Sequence, residues 1–548
     1  MSVCVDNMKL KIRAAILICG ALSFCAIFLT LNQLPTLHDR TQRYPDIEHG
    51  RRNFDETENM AHIFTFRKRL NKSNYTSENI SPEMGKRPLE IKTLINETNE
   101  DIKDQSDSIN QENPNFEQPN QRLTKQPDLE TAENLNITNE YVDKMLYTLQ
   151  TSNGLKFNFE KTKYVPYKNF LKLQSKRTRR KGMGLPIYIN YNGGPVLANW
   201  EKFHKGIHQF GLYDADDPAV DGIMKDMSTE QIIDIELKEG GTQLKLMITF
   251  SDEGQALFKP MRYPRDQETL PDHFYFVDFE RHNAEIAAFH LDRILAFYRV
   301  PPTVGREVNL TGEIKMLAEP KLRRTFFISP ANNVCFHGTC SYYCDTGHAV
   351  CGHPVMLEAS LATFLPPERV APRKTWRNPW KRSYSKHRKA YWELYDDLCG
   401  RVQEKEPYSS GRRLLDVIDM HIFDFLTGNM DRHHYETFTD FGNETFLLHL
   451  DNGRGFGQSG HDEMSILAPV FQCCMIRYST FMKLVKLYLG PEKLSMLMRD
   501  SMAKDRVSPI LNDKHTRALD RRVIKILTAV HDCISTNPYT DVIIDDFF

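Results

Sequence analysis

The pattern of hydrophobic and polar positions divides the chain into three stretches. Near the start, Ala14 to Leu31 is an unbroken run of apolar or small residues, about the length that crosses a bilayer core, roughly 17 to 25 residues. From about Asn32 to Leu155, Asn, Glu, Asp, Gln, Ser and Thr dominate and apolar clusters are few. So little apolar surface cannot offset the entropy of ordering, which predicts a disordered stem. Beyond it the pattern becomes that of a globular domain. Leu185 to Tyr191 and Gln243 to Phe250 read as strands, the second following Gly240-Gly241, and Ala256 to Lys259 reads as a third, short one. Asn283 to Phe297 carries Ile286, Phe289, Leu291, Ile294 and Leu295 at mixed three- and four-residue steps, which predicts a helix. After Leu414 helices dominate, over Val417–Leu426, Phe481–Leu489 and Arg517–Ile534. A strand-rich piece followed by a helix-rich piece predicts an α+β fold of two lobes with a cleft between them.

Charge and cysteine then place this domain in a compartment. Lys9, Lys11 and Arg13 precede the apolar run, and no Lys or Arg follows it before Arg40. Positive charge stays cytoplasmic, which predicts a cytoplasmic tail (1–11), a signal anchor (12–32), a lumenal stem (33–182) and a lumenal globular domain (183–548). A cleaved signal peptide is the competing reading, and it leaves the same domain outside the cytosol. N-x-S/T sequons begin at Asn71, Asn74, Asn79, Asn96, Asn136, Asn309 and Asn443, most of them in the polar stretch, as an exposed glycosylated segment would have. Cys335, Cys340, Cys344, Cys351, Cys399, Cys473, Cys474 and Cys533 all follow the apolar run. An even number in an oxidising compartment predicts four disulfides. The crowding of Cys335 to Cys351 is also compatible with zinc, but the spacings lack the paired C-x2-C arrangement. Over the whole chain 71 Lys and Arg nearly balance 72 Asp and Glu, so bulk electrostatics select no partner. The basic stretch Lys176 to Lys181 contains an R-x-R-R pattern, readable as a lumenal convertase site or as a solvated loop.

A P-loop pattern and a G-x-S-x-G elbow are both missing from the sequence, which weighs against a P-loop NTPase and a serine hydrolase. A G-x-G-x-x-G runs from Gly455 to Gly460 without a βαβ setting and reads as a flexible loop. Two carboxylates carry more. Asp431 follows an apolar helix, and Asp451 ends an apolar strand in Asp451-Asn452-Gly453. Phosphoryl transfer needs such a pair, one carboxylate to take the proton of the attacking hydroxyl and another to hold a metal on the phosphates. Glu436 lies five residues after Asp431. Upstream, Lys259 sits in a strand, and Glu280 and Glu285 begin the next helix, as a strand lysine and its helix glutamate would; the residues alone leave open which glutamate does what. His433-His434 fit a structural or substrate-orienting role better than metal ligation. Arg373 to Lys389 interleaves basic residues with Trp376, Trp380 and Tyr384. In a lumenal protein that suits an acidic protein substrate or a solvated face, and not nucleic acid.

The wording around these residues resembles the family with sequence similarity 20, secretory-pathway kinases. The resemblance is carried by GNMDRHHYETF (from Gly428), HLDNGRGFG (from His449), GQALFKP (Gly254–Pro260) and ERHNAEIAAFHLDRIL (Glu280–Leu295). RTFFISPANN (Arg324–Asn333), CSYYC (Cys340–Cys344), KTWRNPW (Lys374–Trp380) and HDEMSILAP (His461–Pro469) extend it from about Pro186 to the C-terminus, with wording most like the C-type branch. It implies an atypical bilobal kinase fold, an N-lobe to about residue 361 and a C-lobe from about 366. It further implies ATP as donor, Mn2+ with Mg2+ as the alternative, and transfer to Ser-x-Glu sequences of acidic secreted proteins. By motif, Asp431 is the catalytic base, and Glu280 and Asp451 hold the metal. Gln243 and Lys259 contact phosphates, Glu436 contacts the nucleotide, and Ala362, Thr363, Phe364 and Leu365 form the hinge around adenine. The disulfides implied are Cys335–Cys351, Cys340–Cys344, Cys399–Cys473 and Cys474–Cys533. A Golgi type II membrane location, release by proteolysis, and pairing as a homodimer or with a related pseudokinase belong to the same expectation. Relatives that phosphorylate xylose in proteoglycan linkers, or that are non-catalytic activators, supply the alternative functions.

Overall fold

The computed structural model describes residues 139–152, 155, 165–178, 182–186 and 197–545, apart from 239, 272, 276 and 277. The expected anchor, most of the stem, the sequons from Asn71 to Asn136 and the end of the basic stretch after Thr178 lie outside the described residues. Among the described residues no helix is long and apolar enough to cross a membrane.

Two corrections concern the entry to the domain. The stem was expected to reach residue 182, yet α1 (Glu140–Thr151) is a capped helix with Val142, Met145, Leu146 and Leu149 buried. The i, i+3, i+4, i+7 spacing forms one apolar stripe, which Tyr488 helps to dock by accepting the Asn139 N–H at 2.8 Å. A packed helix therefore lies inside the stretch whose mean polarity predicts a disordered stem. The strand expected over Leu185 to Tyr191 is not formed at Leu185 or Pro186, and its remainder is outside the described residues.

The first half of the domain is built on an antiparallel sheet. β1 (Ile232–Leu237), β2 (Leu246–Phe250), β3 (Gln255–Pro260), β4 (Thr303–Asn309) and β5 (Met356–Thr363) stack in the order β1-β2-β3-β5-β4. Alternating burial along β2 turns Leu246, Ile248 and Phe250 into the core, as a half-buried strand does. β2 begins at Leu246, later than the Gln243 expected. α2 (His282–Ile294) crosses behind the sheet, with residues His282 through Asp292 buried. A small three-stranded sheet (Phe327–Ile328, Val334–Phe336, Val350–Cys351) joins Cys335 to Cys351 as direct register partners.

The second half is helical: α3 (Arg413–Thr427) and α4 (Tyr478–Leu489) both pack on α5 (Asp513–Thr536), and β6 (Arg373–Arg377) pairs with β7 (His434–Phe438) in a two-stranded ribbon. All of α3 is buried, which makes it the spine of this half. It stops at Gly428, whose φ of 74° puts it in the left-handed conformation that glycine adopts freely at a helix C-terminus. That stop delivers the chain into Asn429–His433. The remaining disulfides, Cys340–Cys344, Cys399–Cys473 and Cys474–Cys533, complete the four pairs the resemblance implied. Adjacent Cys473 and Cys474 thus reach different helices. Of the two described sequon asparagines, Asn443 is exposed, and Asn309 caps a turn by accepting from the Thr311 and Gly312 amides.

Candidate active site

The β2–β3 hairpin sets up the site. Leu246 pairs with Phe258, so one further step of the antiparallel register brings Lys245 opposite Lys259. Like charges across a ladder repel, and here three carboxylates offset the repulsion. The Lys259 ammonium meets Glu285, Glu280 at 3.0 Å and Asp451 at 3.0 Å; Lys245 meets Asp451 at 2.9 Å and Glu280 at 3.8 Å. Burial pulls the Lys259 ammonium down, but Glu280, Glu285 and Asp451 outweigh it and hold it well above the ordinary lysine range. Burial likewise pushes the Glu280 carboxyl up, and Lys259 with Lys245 reverses this, leaving it below the usual carboxylate range. Asp451 is held well below that range, by Lys245 first and then Lys259. Lys259, Glu280 and Asp451 are therefore ionised.

Backbone geometry forces the carboxylates together. Asp451 adopts φ 53°, and the turn that follows runs against the first residues of α2, with the Arg281 N–H donating to the Gly453 carbonyl at 2.6 Å. A Cβ on Gly453 would lie 2.8 Å from Glu280 Cβ and 3.2 Å from Glu285 Oε1, so this position leaves no room for a side chain. Glu280, Glu285 and Asp451 can each offer an oxygen with all three atoms within 4.8 Å of one another. An all-oxygen set of this kind suits a hard divalent cation, Mn2+ or Mg2+, and Asp451, 66% exposed, leaves it open to the cleft.

Asp431 faces the same cavity of about 280 Å3, which Gly241, Lys245, Glu280, Glu436 and Asp451 also line. The carboxylate is clamped from two sides: Arg454 Nε donates to Oδ2 at 2.7 Å, and His433 Nδ1 lies 2.7 Å from Oδ1. Tyr384 stacks on the His433 ring at 3.8 Å, and Tyr275 Oη lies 3.1 Å from its Nε2. Arg432 ties this loop to the next by gripping Asp424 with two bonds at 2.9 Å and Asn452 at 2.7 Å.

The other expected site residues are spread more widely. Glu436, on β7, lines the cavity and pairs with Arg373 at 2.9 Å. Gln243 is buried, and its amide is occupied: Oε1 accepts the Glu280 N–H at 2.9 Å and Nε2 donates to the Asp278 carbonyl at 3.2 Å. It therefore positions Glu280 rather than presenting its amide to the cavity. Ala362 and Thr363 end β5, and Phe364 and Leu365 lead out of the sheet; none of the four lines the cavity. The loop from Gly455 to Gly460 was expected to be flexible. It is instead packed, with Phe456 donating to the Thr427 carbonyl and the Thr269 amide donating to the Gly457 carbonyl.

Lys245, Arg454 and the pairing of both glutamates with Lys259 were not foreseen. The register of a hairpin folded about Asp252 could have found Lys245, because it pairs residues whose numbers sum to the same value as Leu246 and Phe258.

Comparison with known proteins gives the chain a family. The family model described as Golgi casein kinase, C-terminal, Fam20, matches residues 198–542. The human extracellular serine/threonine protein kinase FAM20C is 58% identical over 349 residues, 64% of this chain and 60% of that one. The match thus spans less than two thirds of that relative's length. Human pseudokinase FAM20A is 50% identical over 366 residues, 64% of this chain and 68% of that one. A crystal structure of the Golgi casein kinase with Mn/ADP bound aligns with a TM-score of 0.67 at 41% identity, covering 76% of this chain and 96% of that one. With the family model spanning well over half its length, and with this fold, the chain belongs to the Fam20 family.

Proposed function

We propose that this chain is a secreted or Golgi-lumenal protein kinase that transfers the γ-phosphoryl group of ATP to serines in Ser-x-Glu sequences of acidic proteins. The observation that carries the reading is the cleft in which a two-lysine, three-carboxylate cluster faces a separately clamped Asp431.

The chemistry follows from the charges. Asp431 accepts the hydrogen bond of the incoming serine hydroxyl and takes its proton as the oxygen attacks the γ-phosphorus. The bond to the β–γ bridging oxygen breaks, and ADP leaves with that electron pair. Arg454 and His433 fix the Asp431 carboxylate, so orientation does not have to be found at each turnover. Lys245 and Lys259 offer ammonium groups to the phosphate oxygens, where negative charge moves during transfer. Glu280 and Asp451, with Glu285 behind them, fit Mn2+ or Mg2+, which when bound supplies further charge neutralisation on the phosphates. Acceptor selection draws on a neighbouring groove of about 710 Å3 that Met430 and Arg454 share with Arg382, Lys386 and Arg388. Glu268, Asp278, Glu393 and Glu463 line the groove too, so the side that suits an acidic peptide is the one carrying Lys386 and Arg388.

The test offers purified protein ATP and Mn2+ with a Ser-x-Glu peptide and a xylose-bearing glycan side by side. Phosphate incorporated into the peptide supports the reading. Transfer to the glycan alone replaces it with a glycan kinase, and transfer to neither replaces it with a pseudokinase that activates a sister chain.

A further inference from the structure

A second cavity, of about 650 Å3, shares no lining residue with the cleft. It lies between the segment after α2 and the start of α4, and its wall is unusually cationic. Arg299, Arg412 and Arg477 converge on two buried carboxylates. Arg299 reaches Asp416 at 2.7 Å and Arg412 reaches it at 2.7 Å; Arg477 reaches Asp416 at 2.6 Å and Asp419 at 2.8 Å. Lys483 is a fourth cation, 7% exposed, and it makes no hydrogen bond or ion pair with any described residue; the face of Phe297, 5.3 Å away, is a weak substitute. Asp214, Asp216 and Asp217 also line the cavity, together with Lys168, Lys172 and Arg293, so seven cations stand against four lining carboxylates with Asp416 behind them. Asp292 does not close the gap, since burial pushes its carboxyl up to about 7. An uncompensated buried charge is costly, and burial pushes the Lys483 ammonium itself down to about 8.

Two further observations point the deficit toward a ligand. Arg299 Nε and Nη1 are buried and have no hydrogen-bond partner among the described residues, although Arg299 lines the cavity. The N-terminus of α4 opens into the same space at Ser479 and Thr480, and its N-cap residue is Arg477, which makes no side-chain cap. First-turn amides that the N-cap side chain does not cap, backed by the helix dipole, favour an oxyanion, and Asp419, which accepts from the Thr480 hydroxyl at 2.7 Å, already stands on one side of this helix start. The volume is that of a small-molecule site, far more than one phosphate group fills.

We propose that this cavity binds a phosphate monoester, its oxyanion held between the α4 N-terminus, Arg299 and Lys483 and its organic part occupying the remaining space. Titration calorimetry on the full chain, with Mg2+ and ADP present to fill nucleotide phosphate positions, tests it with inorganic phosphate and with glycerol 3-phosphate as probes. Lys483→Met removes the unpaired cation, and Ser479→Asp places a carboxylate at the helix N-terminus. Neither touches the cleft, so the ADP-induced melting shift should match wild type in both variants. Wild type is expected to bind both probes, the ester more tightly. Lys483→Met should weaken them by about tenfold or more, and Ser479→Asp should abolish the heat. The site is overturned by wild type that binds neither probe at tens of millimolar, or by either variant binding as wild type does. An ester that binds more weakly than the free ion overturns the organic part of the proposal.

Discussion

The tightest geometric constraint on the cleft is Gly453, and Gly453→Ala tests how closely the carboxylate cluster is set. The added methyl carbon would sit 2.8 Å from Glu280 Cβ and 3.2 Å from Glu280 Cγ, against an ordinary carbon–carbon contact of about 3.5 to 4 Å. Neither neighbour is the free end of a side chain, because the Glu280 carboxylate is pinned to Lys259 at 3.0 Å. Relief therefore requires the Asp451 turn and the start of α2 to part by most of an ångström. Overpacking of this kind costs about 1–3 kcal/mol of stability, and a displacement of about 1 Å in a reacting constellation costs on the order of 100-fold in rate. Steady-state phosphate transfer with Mn2+ titrated at fixed ATP should show that loss, together with a raised Mn2+ requirement. Gly460→Ala is the control, since nothing lies within 4 Å of its added carbon. Wild-type transfer and an unchanged Mn2+ dependence in Gly453→Ala would mean that the Asp451 turn and Glu280 are not held in this close contact.

Three other perturbations separate the roles assigned. Asp451→Ala should abolish transfer while secretion stays near normal, because the side chain is exposed to the cleft; retained activity would remove it from the metal site. Cys474→Ser with Cys533→Ser opens a loop of 59 residues, which on chain-entropy grounds lowers unfolding free energy by about 4 kcal/mol, and a denaturant midpoint equal to wild type would contradict that. His421 is buried and neutral, its Nδ1–H donating to the Ile466 carbonyl at 2.8 Å and its Nε2 accepting from Asn378 at 3.0 Å. Burial lowers its pKa from 6.5 to about 4, so the unfolded chain binds the extra proton first. Its stabilising contribution is complete above pH 6.5 and is lost as pH falls toward 4. His421→Gln should flatten the urea midpoint between those values, and an unchanged slope would count against it.

Much of the scaffold was legible because its periodicity is strong. β3, α2, α3, α4 and α5 lie where their apolar spacing puts them, since a buried helix such as α3 has to repeat its hydrophobic positions whatever its surroundings. α1 was not legible: four apolar residues in a polar stretch vanish in the average, and their meaning depends on a distant partner, Tyr488. At the site, Asp431 and Asp451 stood out by their settings at a helix end and a strand end. Lys245 did not, because a lysine alternating with leucines looks like the wet face of a strand until the hairpin register sets it against Lys259. The division of labour between Glu280 and Glu285 was open in the sequence, and folding brings both onto one ammonium. Arg454 follows Asp451 by three residues, yet its grip on Asp431 depends on two loops meeting in space.

In the proposed reaction the cleft transfers phosphate and Asp431 takes the serine proton. The most direct test measures transfer from γ-labelled ATP to a Ser-x-Glu peptide in Mn2+, comparing wild type with Asp431→Asn, an isosteric change that leaves the Arg454 and His433 clamps something to hold. Asp431→Asn should still bind nucleotide, as read by its melting shift with Mn2+ and ADP, while transfer falls by about 100-fold or more. Transfer at the wild-type rate by Asp431→Asn would contradict that role for Asp431.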